Sequence, residues 1–107
     1  MGDVIGSFLG FQWDRSNSNK NLLKHNVQNW ECEQVFFNKL LLVLEDPGHS
    51  ATEKRWAGFG MTDSGRLLVV IFTKRGNLLR VISARDMNTK ERKFYEENGE
   101  KNSEFQE

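Results

Sequence analysis

The hydrophobic pattern of the chain is dominated by two apolar runs with a two-residue turn between them. Residues 67–72 form an unbroken run rich in β-branched side chains, which predicts a central strand covered on both faces. Residues 78–84 form the second run. Gly76 and Asn77 separate the runs, and both residues accept a positive φ at low cost, as a two-residue hairpin turn requires. The pattern therefore predicts a β-hairpin at the centre of the fold.

The predicted turn also sets the register of the hairpin. It opposes Arg75 to Leu78, Thr73 to Arg80 and Ile71 to Ile82. Arg75 and Arg80 then lie diagonally on one face, roughly 7–8 Å apart at the backbone. Two guanidinium groups at that spacing can hold one phosphate between them. The alternative is that two arginines at the edge only keep the hairpin soluble.

Weaker patterns precede the hairpin. Residues 11–13 predict a short strand, residues 16–25 a weak helix, and Asn26 a left-handed stop after it. Asn29 is the predicted N-cap of a second helix. The packing face of this helix is predicted to contain Trp30, Val35, Phe36 and Phe37.

The remaining pattern predicts strands around the hairpin and a final helix. Residues 40–44 and 54–62 read as strands, and turns are expected at residues 46–48 and 62–65. Asn88 with Glu91 resembles a capping box for a helix that ends near Asn98. The predicted fold is therefore α+β, a small antiparallel meander with helices packed on it.

Length and charge indicate one domain with a distinct tail. The 107 residues are enough for a single modest core. Residues 1–95 contain 14 Lys and Arg against 10 Asp and Glu, and residues 96–107 contain one Lys against five Glu. We expect a loose leader over residues 1–10, the domain over 11–96, and a disordered acidic tail over 97–107. The mildly basic body favours an anionic partner such as nucleic acid.

Targeting and cysteine signals favour a reduced, cytoplasmic setting. The first ten residues lack a basic region, which argues against a signal peptide, and no apolar run is long enough to span a membrane. The single cysteine excludes an internal disulfide and a zinc site built from cysteines. The two histidines lack a metal-ligand spacing, so we expect no metal and no cofactor.

Two histidines and a group of basic residues are the candidates for chemistry. His49 lies four residues before Glu53, and such a pair can share proton transfer near neutral pH, although Ser50 with Glu53 also reads as a structural capping box. His25 ends a predicted helix, where a cation is favoured by the dipole. The hairpin region concentrates five basic residues: Arg66, Lys74, Arg75, Arg80 and Arg85.

Four spaced motifs resemble BrnT-type toxins, and together they cover about residues 11–96. The first is F-x-W-D (Phe11, Trp13, Asp14) with Asn21, Lys24, His25 and Val27 after it. The second is D-x-x-H-S-x-x-E-x-R (Asp46, His49, Ser50, Glu53, Arg55). The third motif has three parts: G-R-x-L-x-V (from Gly65), T-x-R (Thr73, Arg75) and R-V-I-S-A-R (residues 80–85). The fourth is E-R-x-x-Y (Glu91, Arg92, Tyr95). The chain departs from the family pattern at Asn17, usually a lysine, and at Asn26, usually a glycine.

The resemblance implies the toxin of a bacterial type II toxin–antitoxin pair with a RelE-like fold. Such toxins cleave RNA without metal, inhibit translation and growth, and are neutralised by a ribbon-helix-helix antitoxin of BrnA type. Together the two proteins bind operator DNA and repress their own operon. The rival interpretation is a binding module without catalysis, whose arginines meet an acidic antitoxin segment or operator DNA.

Roles for individual residues follow as hypotheses from this reading. The catalytic candidates are three arginines for the charge on the phosphate and a pair for proton transfer: Arg75, Arg80, Arg85, His49 and Glu53. The candidates for holding the RNA backbone are Lys24, His25, Arg66 and Lys74. Trp13, Trp30 and Trp56 are expected to fill the core rather than to stack on RNA bases.

Overall fold

A computed structural model describes residues 8–18, 24–38, 40–46 and 53–102, with the backbone alone for residues 99–102. The described elements are, in chain order, β1 Gly10–Gln12, α1 Asn29–Phe37, β2 Leu42–Glu45, β3 Arg55–Met61, β4 Leu67–Arg75, β5 Leu78–Asp86 and α2 Thr89–Asn102. Of the weak helix predicted over residues 16–25, residues 15–18 form turns and Lys24 and His25 have helical backbone. Its middle lies outside the described residues.

The strands form one five-stranded sheet in the order β1-β5-β4-β3-β2. Strands β2 to β5 are antiparallel neighbours, which confirms the predicted meander. β1 pairs with β5 in parallel, so the sheet is mixed at that edge. The predicted central strand, β4, lies in the middle of the sheet.

A helix covers each face of the sheet, and the two faces carry separate apolar clusters. On the α1 face, Phe72, Leu68 and Val81 are fully buried beneath Val35 and its neighbours on the helix. The cluster on the α2 face consists of Leu42, Phe59, Val69, Met87 and Tyr95. Burial on both sides explains why β4 reads as an unbroken apolar run rather than an alternating one.

The hairpin register is as predicted near the turn and shifts further along. Arg75 opposes Leu78 and Thr73 opposes Arg80, as expected. The predicted pairing of Ile71 with Ile82 is wrong, because Ile71 opposes Ser83 across a register shift between Ile71 and Phe72. Ile82 is the extra residue of a β-bulge in β5, since Val81 still opposes Phe72.

Helix α1 begins one residue earlier than predicted, and it packs differently. Gln28, not Asn29, is the N-cap, and its backbone N–H donates to Glu31 Oε1 at 2.9 Å. Val35 and Phe36 are buried as expected, whereas Trp30 and Phe37 are 57% and 78% exposed. The prediction for those two was wrong because the buried stripe of the helix runs through Glu31 and Cys32, which lie on the opposite side from Trp30 and Phe37.

The predicted left-handed stop at Asn26 and the predicted capping box at the start of the last helix are both confirmed. Asn26 has a φ of 56°, the left-handed conformation that its side chain tolerates. Asn88 and Glu91 form a reciprocal capping box, with N–H to oxygen distances of 2.9 and 2.8 Å. Helix α2 extends past the predicted end at Asn98 to Asn102, and the hydroxyl of Tyr95 donates to the carbonyl of Leu40 ahead of β2.

The N-terminal part of the described chain belongs to the domain. β1 begins at Gly10, and the ring of Phe8 lies edge-on to Phe72 with centroids 6.4 Å apart. Residues 8–10 of the predicted leader therefore pack on the sheet. Residues 1–7 and 103–107 lie outside the described residues.

Gly60 allows α1 to approach the sheet, which gives a stability prediction. A Cβ at Gly60 would lie 2.8 Å from Cγ1 of Val35 and 3.3 Å from the Val35 carbonyl, whereas at Gly58 the nearest atom would be 3.4 Å away. We expect Gly60→Ala to lower the free energy of unfolding by about 1–3 kcal/mol through overpacking. Gly58→Ala is the matched control and should change it by less. Urea unfolding of both variants measures this, and equal effects would contradict it.

Candidate active site on the α2 face of the sheet

One row of side chains crosses four strands on the α2 face. The register places Arg55 of β3 beside Thr73 of β4, Thr73 beside Arg80 of β5, and Arg80 beside Gln12 of β1. Neighbouring strands lie about 4.8 Å apart, so the two guanidinium groups start two strands from each other. The row is polar throughout, and its buried Thr73 hydroxyl donates to the Lys54 carbonyl at 2.6 Å.

Arg80 is held by three side chains of the N-terminal segment. Its Nη1 donates to Gln12 Oε1 at 2.9 Å and to Asp14 Oδ2 at 2.8 Å, and its Nη2 donates to Asp14 Oδ1 and to the Ser16 hydroxyl. The Arg80 side chain is 12% exposed. Hydrogen bonds from Arg80 and then from Ser16 hold the pKa of Asp14 well below its ordinary value. Asp14 therefore stays ionised and fixes the orientation of the guanidinium.

Asn17 explains why the N-terminal turn stays docked on β5. Its side chain is 2% exposed, and its amide donates to the Gln12 carbonyl at 3.0 Å and the Val81 carbonyl at 2.9 Å. Its Oδ1 accepts from the Asp14 backbone N–H at 2.8 Å. At this position an uncharged amide satisfies both buried carbonyls and orients Asp14 toward Arg80.

Arg75 lies one row beyond Arg80 and pairs with Glu53. The Nε of Arg75 donates to Glu53 Oε2 at 2.8 Å, and the two side chains are 46% and 30% exposed. The structure thus places Arg75, Arg80 and Glu53 at the hairpin end of the α2 face. The hairpin register predicted the shared face of the two arginines, but the sequence did not predict that Glu53 lies beside them. His49 lies outside the described residues, so its predicted partnership with Glu53 stays a prediction.

Lys74 and Arg85 occupy different places from this group. Lys74 is exposed and opposes Leu79, so it lies on the α1 face. Arg85 opposes Val69 on the α2 face, two rows from Arg80 and thus about 14 Å along the strand. Its Nη1 and Nη2 donate to the two carboxylate oxygens of Glu91 at 2.7 and 2.8 Å.

The remaining basic candidates lie at the opposite end of the hairpin. Arg66 precedes the first residue of β4 and Arg75 is its last, which separates them by roughly 30 Å. The five guanidinium N–H groups of Arg66 have acceptors within the protein: both oxygens of Asp86, the carboxylate of Glu31, and the carbonyls of His25 and Asn26. Lys24 is exposed and His25 half-buried next to this cluster.

Cys32 is excluded as a nucleophile by its surroundings. It is 1% exposed beneath the sheet in the α1 cluster. Burial, and then the charges of Glu31 and Glu33, raise the pKa of its thiol to about 12. The thiol is neutral at physiological pH and contributes to packing only.

The carboxylates at the far end of the sheet give a pH prediction. The hydrogen bond from Arg66 lowers the pKa of Asp86, and the hydrogen bond from Arg85 lowers the pKa of Glu91. A pKa lowered by folding stabilises the fold fully above the unfolded value, about 4, and this stabilisation is lost as the pH falls through the folded value. We expect the free energy of unfolding to fall below about pH 4.

Single substitutions test that assignment. Asp86→Asn and Glu91→Gln should each flatten the acid branch of the stability curve, measured by urea unfolding between pH 7 and pH 3. Acid branches identical to that of the unsubstituted protein would show that these two pairs do not carry the pH dependence.

Neither a metal cluster nor a membrane span is evident in the described part of the chain. No group of three or more His, Cys, Asp or Glu residues lies close enough there to hold a metal ion. No described helix is both long and apolar enough to cross a bilayer.

Comparison with known proteins assigns the chain to a family. Residues 13–91 match the family model described as the ribonuclease toxin, BrnT, of type II toxin–antitoxin systems. This chain belongs to the BrnT family. The matched span begins at the turn that holds Arg80 and ends at Glu91, the partner of Arg85. A search of curated proteins finds no match.

A solved structure supports the fold of this BrnT-family protein. The crystal structure of the Brucella abortus ribonuclease toxin BrnT, determined at 1.1 Å resolution, aligns with a TM-score of 0.54 and 22% sequence identity. The alignment covers 75% of this chain and 97% of the Brucella chain. The α+β architecture is thus shared, while the expected likeness to RelE stays a prediction.

Sequence reasoning missed three members of the site. Asp14 and Arg55 had visible signals, because Asp14 lies in the first family motif and Arg55 closes the second, whereas Gln12 had none. What the sequence lacked was the strand order. The parallel pairing of β1 with β5 brings Gln12 and Asp14 to Arg80 across more than 60 residues of chain.

Proposed function

We propose that this BrnT-family protein is a metal-independent endoribonuclease that cleaves RNA at the hairpin end of the α2 face and thereby inhibits translation and growth. The observation that carries this proposal is that Arg55, Arg75 and Arg80 lie in two neighbouring rows of one sheet face, where the carboxylate of Glu53 pairs with Arg75. Membership of a ribonuclease toxin family supports RNA as the substrate.

The chemistry needs a base, an acid and a stabiliser of phosphoryl charge. The RNA 2′-hydroxyl gives its proton to the Glu53 carboxylate, and its oxygen forms a bond to the adjacent phosphorus. The bond from phosphorus to the 5′ oxygen breaks, and that oxygen takes a proton from His49, the candidate acid. The products are a 2′,3′-cyclic phosphate and a 5′-hydroxyl end. Arg75 and Arg80 stabilise the charge that develops on the phosphoryl oxygens.

Two ion pairs at this face support anion recognition there. Glu53 accepts from Arg75 at 2.8 Å, and Asp14 accepts from Arg80 at 2.8 Å. A guanidinium group that orients a carboxylate presents the same paired N–H geometry to a phosphate. Arg75 is the more exposed of the two arginines and is the one we expect to exchange its carboxylate for the substrate phosphate.

The partner proposed for this toxin is a ribbon-helix-helix antitoxin of BrnA type in the bacterial cytoplasm. The type II family description supports an antitoxin as such. An acidic antitoxin segment would meet the same arginines that bind the phosphate, and the complex would reach operator DNA through the antitoxin. If catalysis were absent, this binding would be the whole function of the protein.

Expression of the chain alone in a bacterial host tests the proposal. We expect growth to arrest, and purified protein to degrade RNA in the presence of EDTA. Arg75→Gln should relieve both effects, whereas Arg92→Gln, which removes an exposed cation on α2, should not. Unhindered growth with confirmed folded protein would favour the binding module, and cleavage abolished by EDTA would refute the metal-free mechanism.

A further inference from the structure

The bulge at Ile82 has a consequence for the arginines of β5. Arg80 and Arg85 are five residues apart, and an odd separation in a regular strand puts two side chains on opposite faces. The extra residue at Ile82 restores Arg85 to the face of Arg80, as the pairings of Arg80 with Thr73 and of Arg85 with Val69 show. β-Bulges commonly redirect side chains next to active sites.

The result is a line of arginines along the hairpin on one face. Successive rows on that face lie about 7 Å apart, because alternate residues of a strand share a face. In order from the turn, the rows contain Arg75, then Arg80, then Ile71 with Ser83, and then Arg85. Ser83 and Ile71 are half-buried, so the row between the arginines has a partly accessible apolar side chain and a hydroxyl.

This spacing matches an extended single strand of nucleic acid, in which each row is about one nucleotide long. Resting on the proposed function, we propose that RNA lies along β4 and β5, with the cleaved phosphate at Arg75 and Arg80 and the phosphate two nucleotides away at Arg85. The intervening phosphate lies over the row of Ser83. Arg85 is then a substrate-binding residue of a distal subsite rather than a catalytic one.

The accessibility of Arg85 fits this assignment. Its side chain is 42% exposed, although Glu91 accepts from both terminal nitrogens. Each terminal nitrogen of a guanidinium group has two N–H donors. Nη1 uses its second donor on the Asp86 carbonyl at 3.2 Å, whereas Nη2 keeps one donor for a phosphate oxygen. Glu91 also accepts a hydrogen bond from the backbone N–H of Asn88 at the start of α2. This bond holds the Glu91 carboxylate in place, and the carboxylate in turn fixes the position of the Arg85 side chain.

Binding of short oligonucleotides tests the subsite. The probes are non-cleavable 2′-O-methyl oligouridylates of two, four and six nucleotides, which contain one, three and five phosphates. We expect affinity to rise about tenfold from two to four nucleotides, the contribution of one charge-assisted contact, and little from four to six beyond non-specific charge effects. In Arg85→Gln the gain in affinity from two to four nucleotides should vanish, while the affinity for the dinucleotide is unchanged. For the tetranucleotide, the slope of log affinity against log salt concentration should become shallower by about 0.7.

Two controls separate the subsite from a structural role. Glu91→Gln breaks the ion pair but keeps Arg85, so the gain with length should persist. Arg92→Gln removes an equal charge from α2 and should also keep it. If the loss in Arg85→Gln came only from displacement of α2, Glu91→Gln would reproduce it, and the inference would be overturned.

Replacement of a single phosphate locates the contact. A neutral methylphosphonate at either outer linkage of the tetranucleotide is tested in turn. At one of the two linkages, the methylphosphonate should lower the affinity as much as Arg85→Gln does. The same methylphosphonate should cause no further loss of affinity when the protein is Arg85→Gln. Additive losses at both outer linkages would overturn the inference. The proposed function is judged separately, because failure of the unsubstituted protein to cleave RNA would refute catalysis while leaving this binding pattern intact.

Discussion

Replacing Arg80 with lysine is expected to reduce RNA cleavage by about 10²–10³-fold, the usual effect of removing one donor to the transition state. Lysine keeps the positive charge but lacks the planar pair of N–H groups. In the structure that pair donates simultaneously to Gln12, Asp14 and Ser16, which no single ammonium group reproduces in the same plane. RNA affinity should change by well under tenfold, because the net charge is unchanged.

The measurement compares single-turnover cleavage and RNA binding on the same protein sample. Circular dichroism checks that Arg80→Lys is folded, and Asn17 should keep the N-terminal turn on β5 through its bonds to Gln12 and Val81. Arg92→Lys is the matched control, because Arg92 is exposed on α2. Cleavage close to that of the unsubstituted protein in folded Arg80→Lys would refute the catalytic role of Arg80 and leave it as the anchor of the N-terminal turn.

Replacing Arg66 with methionine is expected to lower the free energy of unfolding by about 3–5 kcal/mol, the range for breaking a buried ion pair from one side. The substitution leaves Glu31, which is 8% exposed, without its cation, and it removes the donors to Asp86 and to two backbone carbonyls. The melting temperature should fall by more than about 10 °C. Thermal unfolding followed by circular dichroism measures this.

A second substitution distinguishes this structural role from the RNA-binding role that the sequence suggested for Arg66. Adding Glu31→Met to Arg66→Met removes the uncompensated carboxylate and should restore part of the lost stability. RNA affinity of the folded double variant should be close to that of the unsubstituted protein. A stable Arg66→Met protein with strongly weakened RNA binding would show that Arg66 contacts RNA instead.

Local signals in the sequence predicted the hairpin, the capping box and the left-handed stop. Gly76, with a φ of 59°, specifies the turn by backbone conformation, although Asn77 does not have the positive φ that it tolerates. Asn88 with Glu91 satisfies N–H groups within one helical turn. Each depends on residues a few positions apart, so spacing alone is sufficient. The unbroken apolar run of β4 likewise indicated burial on both faces.

The β-bulge at Ile82 and the buried face of α1 could not be predicted from the spacing of residues in the sequence, because both depend on tertiary packing. The register shift at Ile82 keeps Ala84 in the α1 cluster and Arg85 on the α2 face, a choice made by the two clusters together. Trp30 and Phe37 were predicted to be buried from their apolar character alone. Glu31 takes a buried position on α1 instead, because Arg66 neutralises it from the far end of the hairpin.

The site was predictable in its arginines but not in their partners. The hairpin register predicted that Arg75 and Arg80 share a face, and they do. Glu53 was singled out only by its spacing from His49, and its pairing with Arg75 was not predicted. The partners of Arg80 and Arg66 are distant in sequence, 66 residues away for Asp14 and 35 for Glu31. Such pairs follow from strand order and from the docking of the N-terminal segment, which composition and periodicity do not specify.

The ends of the cleaved RNA test the central claim most directly. Purified protein is incubated with a defined RNA in EDTA, and the termini of the products are identified by mass spectrometry. We expect 2′,3′-cyclic phosphate and 5′-hydroxyl ends, formed by the unsubstituted protein and lost in Arg80→Lys. Products with 3′-hydroxyl and 5′-phosphate ends, or cleavage that requires a divalent metal, would contradict attack by the 2′-hydroxyl at Arg75 and Arg80.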